Sequence, residues 1–245
     1  MPATQYRCEV KSFRMLTPTV FEITFEPLEP QTPVLNFEGG QFVSVIVPKA
    51  GPNGRDLRRA YSIASAPEKK PVELCVKLVE DGPGTNYLYK LRPGDTFQGV
   101  GPYGDFTFEH HEGKHACFIS TGTGIAPFRS MVQSEYYTGN KPASATLLLG
   151  VRDEAELLYM DEFDDVTGLR WVPCVSRPTS GNWKGFTGRV TDYLRTLGED
   201  YPWTNTDYYL CGGGAMIDEV KAILTAKGVT KESIHQEIYY KTPKA

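Results

Sequence analysis

The most restrictive feature of the sequence is a change of pattern near residue 110. Before this point apolar and polar residues alternate in short runs, as in Val20–Phe25, Gln41–Val47 and Val72–Val79, and Pro- and Gly-rich breaks separate the runs. Alternation with a period of two is typical of half-buried strands. Several such strands without clear helices predict an antiparallel barrel or sandwich.

The second half alternates predicted strands with predicted helices. A short apolar run, Ala116–Ser120, leads through a Gly-rich turn into a helical stretch, Pro127–Tyr137. Further strands are predicted at Ala145–Gly150, Trp171–Ser176 and Tyr208–Cys211, and further helices at Ala155–Phe163, near Gly188–Leu197 and through Ile217–Lys227. Such alternation implies right-handed crossovers and a parallel sheet.

Composition excludes several other classes of protein. The 245 residues are 40% hydrophobic and 23% charged, which suits globular domains, and the net charge of -4 argues against a nucleic-acid partner. We expect no membrane span, because no apolar run approaches the required length, and no signal peptide begins the sequence. Five scattered cysteines predict reduced thiols and a cytoplasmic location, without an iron–sulfur cluster or another metal site.

The segment Arg58–Ser65 contains the residue types that a flavin requires. A flavin needs a flat aromatic surface, a cation for its pyrophosphate and a donor near its reactive N5. Tyr61, Arg59 and Ser62 supply these three, with Ala60 between them. An ordinary strand with a surface arginine and a packed tyrosine would have the same sequence.

Two glycine-rich turns have the context of phosphate-binding sites. In the first, Gly82 and Gly84 precede Thr85 at the predicted start of a short helix, where backbone N–H groups attract anions. In the second, Ser120–Pro127 joins a buried strand to a helix. Its glycines would let the backbone approach a pyrophosphate, and its threonines could donate hydroxyls; the residues concerned are Thr121, Gly122, Thr123 and Gly124.

Taken together, these segments resemble the motifs of the ferredoxin–NADP reductase superfamily. Arg59–Ser62 resembles its Arg-x-Tyr-Ser flavin motif, Gly82–Thr85 its Gly-x-x-Ser/Thr turn, and Gly101–Phe106 a segment that closes its barrel. Gly122–Pro127 resembles its nicotinamide-dinucleotide turn, and Cys211–Met216 its Cys-Gly-x-x-x-Met motif. The five motifs stand in the order of the family and cover nearly the whole chain.

The resemblance implies a Greek-key flavin-binding β-barrel at residues 1–112 and a parallel-sheet α/β NAD(P)-binding domain at residues 113–245. It implies FAD as the flavin, with chemistry in a cleft between the domains. Cys211 would lie beside the nicotinamide C4, with Gly212 and Met216 in the same site. Hydride would pass from the nicotinamide to the flavin, and electrons would leave singly for ferredoxin or flavodoxin. We expect a monomer.

Three arginines favour NADPH over NADH, because a 2′-phosphate calls for guanidinium groups. Arg152 and Arg177 each follow a predicted strand, Arg177 directly after Ser176, and Arg189 ends a Thr-Gly-Arg segment. The set resembles that of bacterial NADPH-using reductases. Three solvated surface arginines, with NADH as a usable donor, remain the alternative.

The C-terminal Glu237-Ile238-Tyr239 resembles the terminal Glu-hydrophobe-Tyr of plant-type reductases, where Tyr covers the flavin and Glu assists proton delivery. Here the chain continues to Ala245, so this segment could equally be a last strand at the sheet edge. Ser62, Cys211 and Glu237 are thus the candidate catalytic residues, and Tyr239 is a candidate flavin contact. Two other functions stay open: an NADH-dependent reductase component of an oxygenase, and a flavin-binding subunit of a larger electron-transfer complex.

Overall fold

The computed structural model of the protein describes residues 4–28, 35–164 and 166–240; for residue 240 it describes the backbone alone. The chain divides into two compact units. The first comprises the chain up to Phe108 together with Ala126–Tyr137, and the second comprises Glu109–Ile125 and the chain from Thr138 onward. The sequence prediction placed residues 126–137 in the second domain.

The first unit is built on a six-stranded antiparallel sheet. Its strands are β1 (Thr4–Thr17), β2 (Val20–Pro27), β3 (Phe42–Val47), β4 (Leu57–Ser62), β5 (Val72–Lys77) and β6 (Thr96–Tyr103), in the order β4-β3-β6-β1-β2-β5. An antiparallel bridge between Ile63 and Leu74 joins the two ends of this sheet. The sheet therefore closes on itself as the predicted Greek-key barrel, which protects its edge strands.

Alternating side chains fill the barrel. Val10, Phe21, Ile23, Val45 and Leu74 are all fully buried in one hydrophobic cluster. Helix α1 (Pro83–Lys90) lies between β5 and β6 in the chain and adds Leu88 to the same cluster. The period-two pattern of the sequence thus places most apolar residues of the strands inside, with Met15 of β1 an exposed exception.

Helix α2 (Ile125–Val132) follows the second glycine-rich turn, and all but its first residue belongs to the first unit. Its Arg129 is 2% exposed and forms an ion pair with the buried Glu73 of β5. The hydroxyl of Ser130 donates to the carbonyl of Ser65 at 2.6 Å. A short helix α3 (Glu135–Gly139) completes this segment, so the predicted single helix 127–137 is divided in two.

The second unit is built on a six-stranded parallel sheet. Its strands are β7 (His115–Thr121), β8 (Ala145–Val151), β9 (Leu169–Val175), β10 (Phe186–Thr187), β11 (Thr206–Gly213) and β12 (Ile234–Tyr240), in the order β10-β9-β8-β7-β11-β12. The chain runs outward from β7 through β8, β9 and β10, and then returns to the other side of β7 with β11. The carboxyl ends of β7 and β11 therefore form the topological switch point, where open α/β sheets bind ligands.

Helices α5 (Val190–Thr196) and α6 (Gly214–Ala226) carry Leu194, Ile217 and Leu224 into a cluster with the sheet residues Ile119, Leu148 and Leu210. On the opposite face, the rings of Phe118, Tyr209 and His235 stack across three neighbouring strands, with centroid distances of 5.1 and 4.7 Å. Burial lowers the pKa of His235, so its ring is neutral near pH 7.

Both halves of the predicted fold class are confirmed: an antiparallel barrel and a parallel-sheet α/β domain. The predicted helix Ala155–Phe163 is wrong. A 3₁₀ turn occupies Glu154–Glu156, Tyr159 has a positive φ of 56°, and only Met160–Phe163 (α4) is helical. Within the part of the chain that the structure describes, every helix is too short or too polar to span a bilayer.

Candidate functional site

The first group of candidate residues lies on β4. This strand pairs antiparallel with β3, which aligns Tyr61 with Val43 and Arg59 with Val45. Arg59 and Ala60 are exposed, Tyr61 is half-buried against the barrel core, and Ser62 is 6% exposed. The strand therefore presents a cation and a partly exposed aromatic ring on neighbouring positions at the surface of the barrel.

The start of α1 touches these two side chains. A Cβ added at Gly84 would overlap the hydroxyl of Tyr61 and would lie 2.8 Å from Cγ of Arg59. Only glycine allows the helix to approach so closely. Gly82 precedes the helix and provides no side-chain cap for the N–H groups of the first turn, which lies beside Arg59. The first two predicted motifs thus meet at one place.

The first-turn geometry is fixed locally by Thr85 and Asn86. The hydroxyl of Thr85 lies 3.2 Å from the carbonyl of Gly82, and the amide of Asn86 donates to the same carbonyl at 2.8 Å. The Thr85 hydroxyl is therefore used in the turn, and the backbone remains as the anion donor. A pyrophosphate fits this arrangement, because Arg59 forms no ion pair among the described residues.

The segment that follows Ser62 is held rigidly inside the first unit. The N–H of Ile63 donates to the carbonyl of Gln41 at 3.0 Å, and that of Ala64 donates to the carbonyl of Glu73 at 2.8 Å. Arg129 donates to the carbonyl of Ala64 at 2.9 Å. Sequence reasoning did not identify Glu73 or Arg129, since each resembles an ordinary polar residue on a strand or a helix.

In the second unit, the turn after β7 lies against the end of β11. A Cβ added at Gly124 would overlap the carbonyl oxygen of Cys211, so this position requires glycine. The N–H of Gly213 lies 3.4 Å from the hydroxyl oxygen of Thr121. Thr123 is 7% exposed, which makes its hydroxyl less accessible than that of Thr121.

Open space remains beside this contact. Neither Gly122 nor Gly213 has an atom within 4 Å of the place that a Cβ would occupy. Gly213 also immediately precedes the 13-residue helix α6, whose uncapped first turn attracts anions. The open space beside Gly122 and Gly213 therefore suits a dinucleotide pyrophosphate. Met216, in the first turn of α6, lies near Gly212.

Cys211 occupies the centre of a row across the sheet. Parallel pairing aligns it with Ser120 of β7 and with Glu237 of β12. Burial raises the pKa of the Cys211 thiol well above its usual value, the charge of Glu237 raises it further, and a hydrogen bond with Tyr239 opposes the shift. The thiol is consequently neutral at physiological pH and is not a thiolate nucleophile.

β12 forms the edge of the sheet, as the strand interpretation of the C-terminal segment predicts. Glu237 and Tyr239 are half-buried, and Ile238 between them is 39% exposed. The described side chains of this strand thus place a carboxyl group and a phenol next to Cys211, within the second unit.

Three adjacent strands deliver the candidate arginines to one edge of the sheet. Arg152 follows β8, Arg177 follows β9, and Arg189 lies two residues after β10. The N–H of Arg177 donates to the carbonyl of Arg152 at 2.7 Å, and the N–H of Gly188 donates to the carbonyl of Val175 at 2.9 Å. The hydroxyl of Ser176 is bonded to the carbonyl of Val151 at 3.3 Å.

All three arginines are exposed, and none of them forms an ion pair within the described residues. Carboxylates do lie nearby, since Glu156 accepts the backbone N–H of Arg152 and Asp192 accepts that of Arg189, but among the described residues they form no ion pair with the guanidinium groups. The arrangement is suited to a doubly charged phosphate.

Family models match both halves of the chain. The oxidoreductase FAD-binding domain matches residues 7–108, and the oxidoreductase NAD-binding domain matches residues 118–222. These matches and the two glycine-based sites define a flavin- and nicotinamide-dependent oxidoreductase. The chain belongs to the ferredoxin–NADP reductase family of these enzymes, as the following relatives show.

Ferredoxin–NADP reductase B of Sorangium cellulosum is 32% identical over 97% of this chain and 98% of its own length. The reductase component of phenol 2-monooxygenase from Pseudomonas sp. strain CF600 is 30% identical over 98% of this chain and 67% of its own length. A ferredoxin–NADP⁺ reductase from Neisseria gonorrhoeae, solved with FAD and NADP, has the same fold: the TM-score is 0.79, the identity 22%, and the coverage 97% of this chain and 99% of that one.

Proposed function

We propose that this protein is an FAD-dependent NADPH oxidoreductase that exchanges electrons with a one-electron carrier, ferredoxin or flavodoxin. FAD, held by the residues given below, would supply hydride acceptance from the reduced nicotinamide and release of single electrons. The polypeptide contributes binding and orientation.

The observation that carries the preference for NADPH is the set of three arginines at the carboxyl ends of β8, β9 and β10, none of which forms an ion pair with a residue that the structure describes. NADH lacks the 2′-phosphate and would leave this positive charge uncompensated. The name of the Sorangium relative, which matches this chain over nearly its full length, supports the same nucleotide.

The remaining site residues are proposed to act as follows. Arg59 and the first turn of α1, with Gly82, Gly84 and Thr85, bind the FAD pyrophosphate; Tyr61 flanks the flavin ring, and Ala60 and Ser62 adjoin it. Thr121–Gly124 and Gly212 bind the nicotinamide dinucleotide. Cys211 and Met216 contact the nicotinamide, Glu237 exchanges protons with solvent, and Tyr239 orients the Cys211 thiol.

The acceptor distinguishes this function from its strongest alternative. The phenol 2-monooxygenase relative supports a role as the reductase of an oxygenase, but that protein is longer than this chain. The Sorangium relative, which is named as a ferredoxin–NADP reductase, supports a carrier-linked reductase and matches 97% of this chain. We therefore favour ferredoxin or flavodoxin as the partner and a cytoplasmic, monomeric protein, whose sequence-based domains 1–112 and 113–245 exchange residues 126–137 in the structure.

Steady-state reduction tests the proposal. The enzyme would be assayed with NADPH and with NADH, each against ferredoxin, flavodoxin, an oxygenase component and a dye. We expect kcat/KM to be at least about tenfold higher with NADPH, the size of effect expected from one charge-assisted contact. Equal or better use of NADH, or strong activity with the oxygenase component alone, would contradict the proposal.

The contribution of one of these arginines to NADPH binding can be tested within the same assay. Replacing Arg177 by Leu should raise KM for NADPH and leave KM for NADH unchanged. Arg195→Leu provides the matched control, since Arg195 is about half exposed but is paired with Glu219.

A further inference from the structure

The carboxylate of Glu154 lies in the same region as the arginine cluster, by which we mean Arg152, Arg177 and Arg189. Its two oxygens bind the loop that follows β9. Oε2 of Glu154 accepts the N–H of Thr179 at 2.9 Å, and Oε1 accepts the N–H of Ser180 at 2.6 Å. The hydroxyl of Ser180 bonds to the same carboxylate. Thr179 and Ser180 come two and three residues after Arg177, so Glu154 fixes the loop that carries this arginine.

Glu154 itself belongs to the turn that carries Arg152. It begins the 3₁₀ turn Glu154–Glu156, in which the carboxylate of Asp153 accepts the N–H of Ala155 at 3.0 Å. The carboxylate of Glu156 accepts the N–H of Arg152 at 3.1 Å. The carboxylate of Glu154 thereby links two short segments, one with Arg152 and one with Arg177, across the ends of neighbouring strands.

The backbone links the same two segments only at their first residues. Arg177 donates to the carbonyl of Arg152 at 2.7 Å, after which both chains leave the sheet. Pro178 has no N–H to donate, so the next backbone donors of the loop are those of Thr179 and Ser180. Without Glu154 these two donors would lose the partner that joins them to the Arg152 turn, and the loop would keep only hydrogen bonds of its own such as that from the N–H of Asn182 to the hydroxyl of Ser180.

We propose that Glu154 is a specificity-determining positioning residue, which holds the Arg177 loop against the Arg152 turn so that both guanidinium groups reach the 2′-phosphate of NADPH. This inference rests on the proposed function of the arginine cluster. Glu154 touches no nucleotide in this role and acts only through the two arginines.

A negative charge beside a phosphate site would ordinarily oppose binding. Here each oxygen of Glu154 accepts an N–H, and the hydrogen bond from Ser180 is the largest cause that lowers the pKa of the carboxyl group to about 2. The negative charge of Glu154 is thus compensated by charge-assisted hydrogen bonds from the loop. Because the carboxylate stays ionised throughout the range of an enzyme assay, the clamp is constant across that range.

The test compares Glu154→Ala and Glu154→Gln with the parent enzyme by calorimetric binding of 2′,5′-ADP and of 5′-AMP to the FAD-loaded protein. These probes differ only in the 2′-phosphate. We expect Glu154→Ala to bind 2′,5′-ADP about tenfold more weakly, as for the loss of charge-assisted hydrogen bonds, and 5′-AMP within about twofold of the parent. KM for NADPH should rise in parallel, while KM for NADH and kcat remain unchanged.

Glu232→Ala is the matched control. Glu232 also lies in a 3₁₀ turn with a lowered pKa, caused mainly by its own backbone hydrogen bond, but its turn precedes β12 at the opposite edge of the sheet. We expect this variant to bind both probes like the parent. Glu154→Gln keeps one acceptor oxygen and should fall between the parent and Glu154→Ala.

The outcomes separate this inference from the function on which it rests. If the parent enzyme bound 2′,5′-ADP no better than 5′-AMP, this result would contradict the proposed NADPH site. It would then also contradict the role of Glu154. If the parent preferred 2′,5′-ADP but Glu154→Ala kept that preference, or weakened both probes equally, the positioning role alone would fall. Tighter binding of 2′,5′-ADP by Glu154→Gln would overturn it as well, because it would show simple charge repulsion.

Discussion

At the scale of single residues, the buried pair Arg129–Glu73 is the most heavily constrained interaction in the first unit. Both side chains are less than a tenth exposed, and Lys69 gives Glu73 a second cation at 3.0 Å. Removing one member of a buried pair costs more than the pair contributes, since the remaining charge loses its compensation.

Replacing Arg129 by Met tests this view. We expect the variant to lose about 3–5 kcal/mol of unfolding free energy, because Glu73 would keep only the partly exposed Lys69 as an ion-pair partner. Urea unfolding of the FAD-loaded protein measures the loss. Arg195→Met is the control: its ion pairs with Asp192 and Glu219 are exposed, and their loss should have a much smaller effect. Similar losses in the two variants would contradict the assignment.

Sequence reasoning finds residues whose type and spacing are unusual, and it overlooks residues whose role depends on a distant partner. Arg59, Gly84 and Gly124 are identifiable because they stand in short motifs that resemble those of a known family. Glu73 follows the alternating pattern of its strand, and nothing nearby in the sequence indicates that α2 covers it. Glu154 is hidden for the same reason, since its hydrogen-bond partners lie 25 and 26 residues away.

At the scale of elements, close approach between a turn and a side chain determines where the cofactors can bind. The first turn of α1 contacts Tyr61 and Arg59 only because residue 84 has no side chain. The atoms that a Cβ would displace belong to the two residues proposed to hold FAD. A substitution at residue 84 should therefore weaken FAD binding more than it lowers the stability of the fold.

The substitution Gly84→Ala provides the test. Overpacking costs roughly 1–3 kcal/mol, so we expect FAD to dissociate from the variant about tenfold more readily. Flavin fluorescence on dilution measures the dissociation. Gly139→Ala is the matched control, because nothing lies within 4 Å of a Cβ at that position. An unchanged FAD affinity in Gly84→Ala would refute the proposed contact.

Elements with a regular pattern were predictable, and elements with an interrupted pattern were not. β2, β3, β5, β7, β8 and β11 each contain a continuous or alternating apolar run. β1 has register shifts between Val10 and Ser12 and between Met15 and Thr17, which break its alternation. The wrongly predicted helix 155–163 has enough apolar residues, but the left-handed conformation of Tyr159 interrupts it.

At the scale of the whole molecule, buried thiols make the stability depend on alkaline pH. Burial raises the pKa of Cys8, Cys117 and Cys174 each to about 12, whereas the thiols ionise near pH 9 in an unfolded chain. The folded state then holds protons that the unfolded state releases. The stabilisation is complete below about pH 9 and is lost progressively as the pH rises toward 12.

We therefore expect the unfolding free energy to fall above about pH 9, at a rate of at most about 1.4 kcal/mol per pH unit for each thiol. Urea midpoints between about pH 8 and about pH 10.5 measure this slope. Cys174→Ala should be less stable throughout, because it creates a cavity, but its slope should be shallower by the share of one thiol. A stability that stays constant over this interval would exclude the effect.

The first unit is discontinuous along the chain: residues 126–137 belong to it, and residues 109–125 do not. A gene segment that ended at Phe108 would encode every barrel strand. It would omit helix α2, whose Arg129 pairs with Glu73. Recombination could not exchange the nucleotide-binding half as a cassette unless the donor also supplied an equivalent of Arg129. Any exchange of the nucleotide-binding half would therefore also exchange the buried partner of Glu73, although the strands of the two units separate cleanly by sequence.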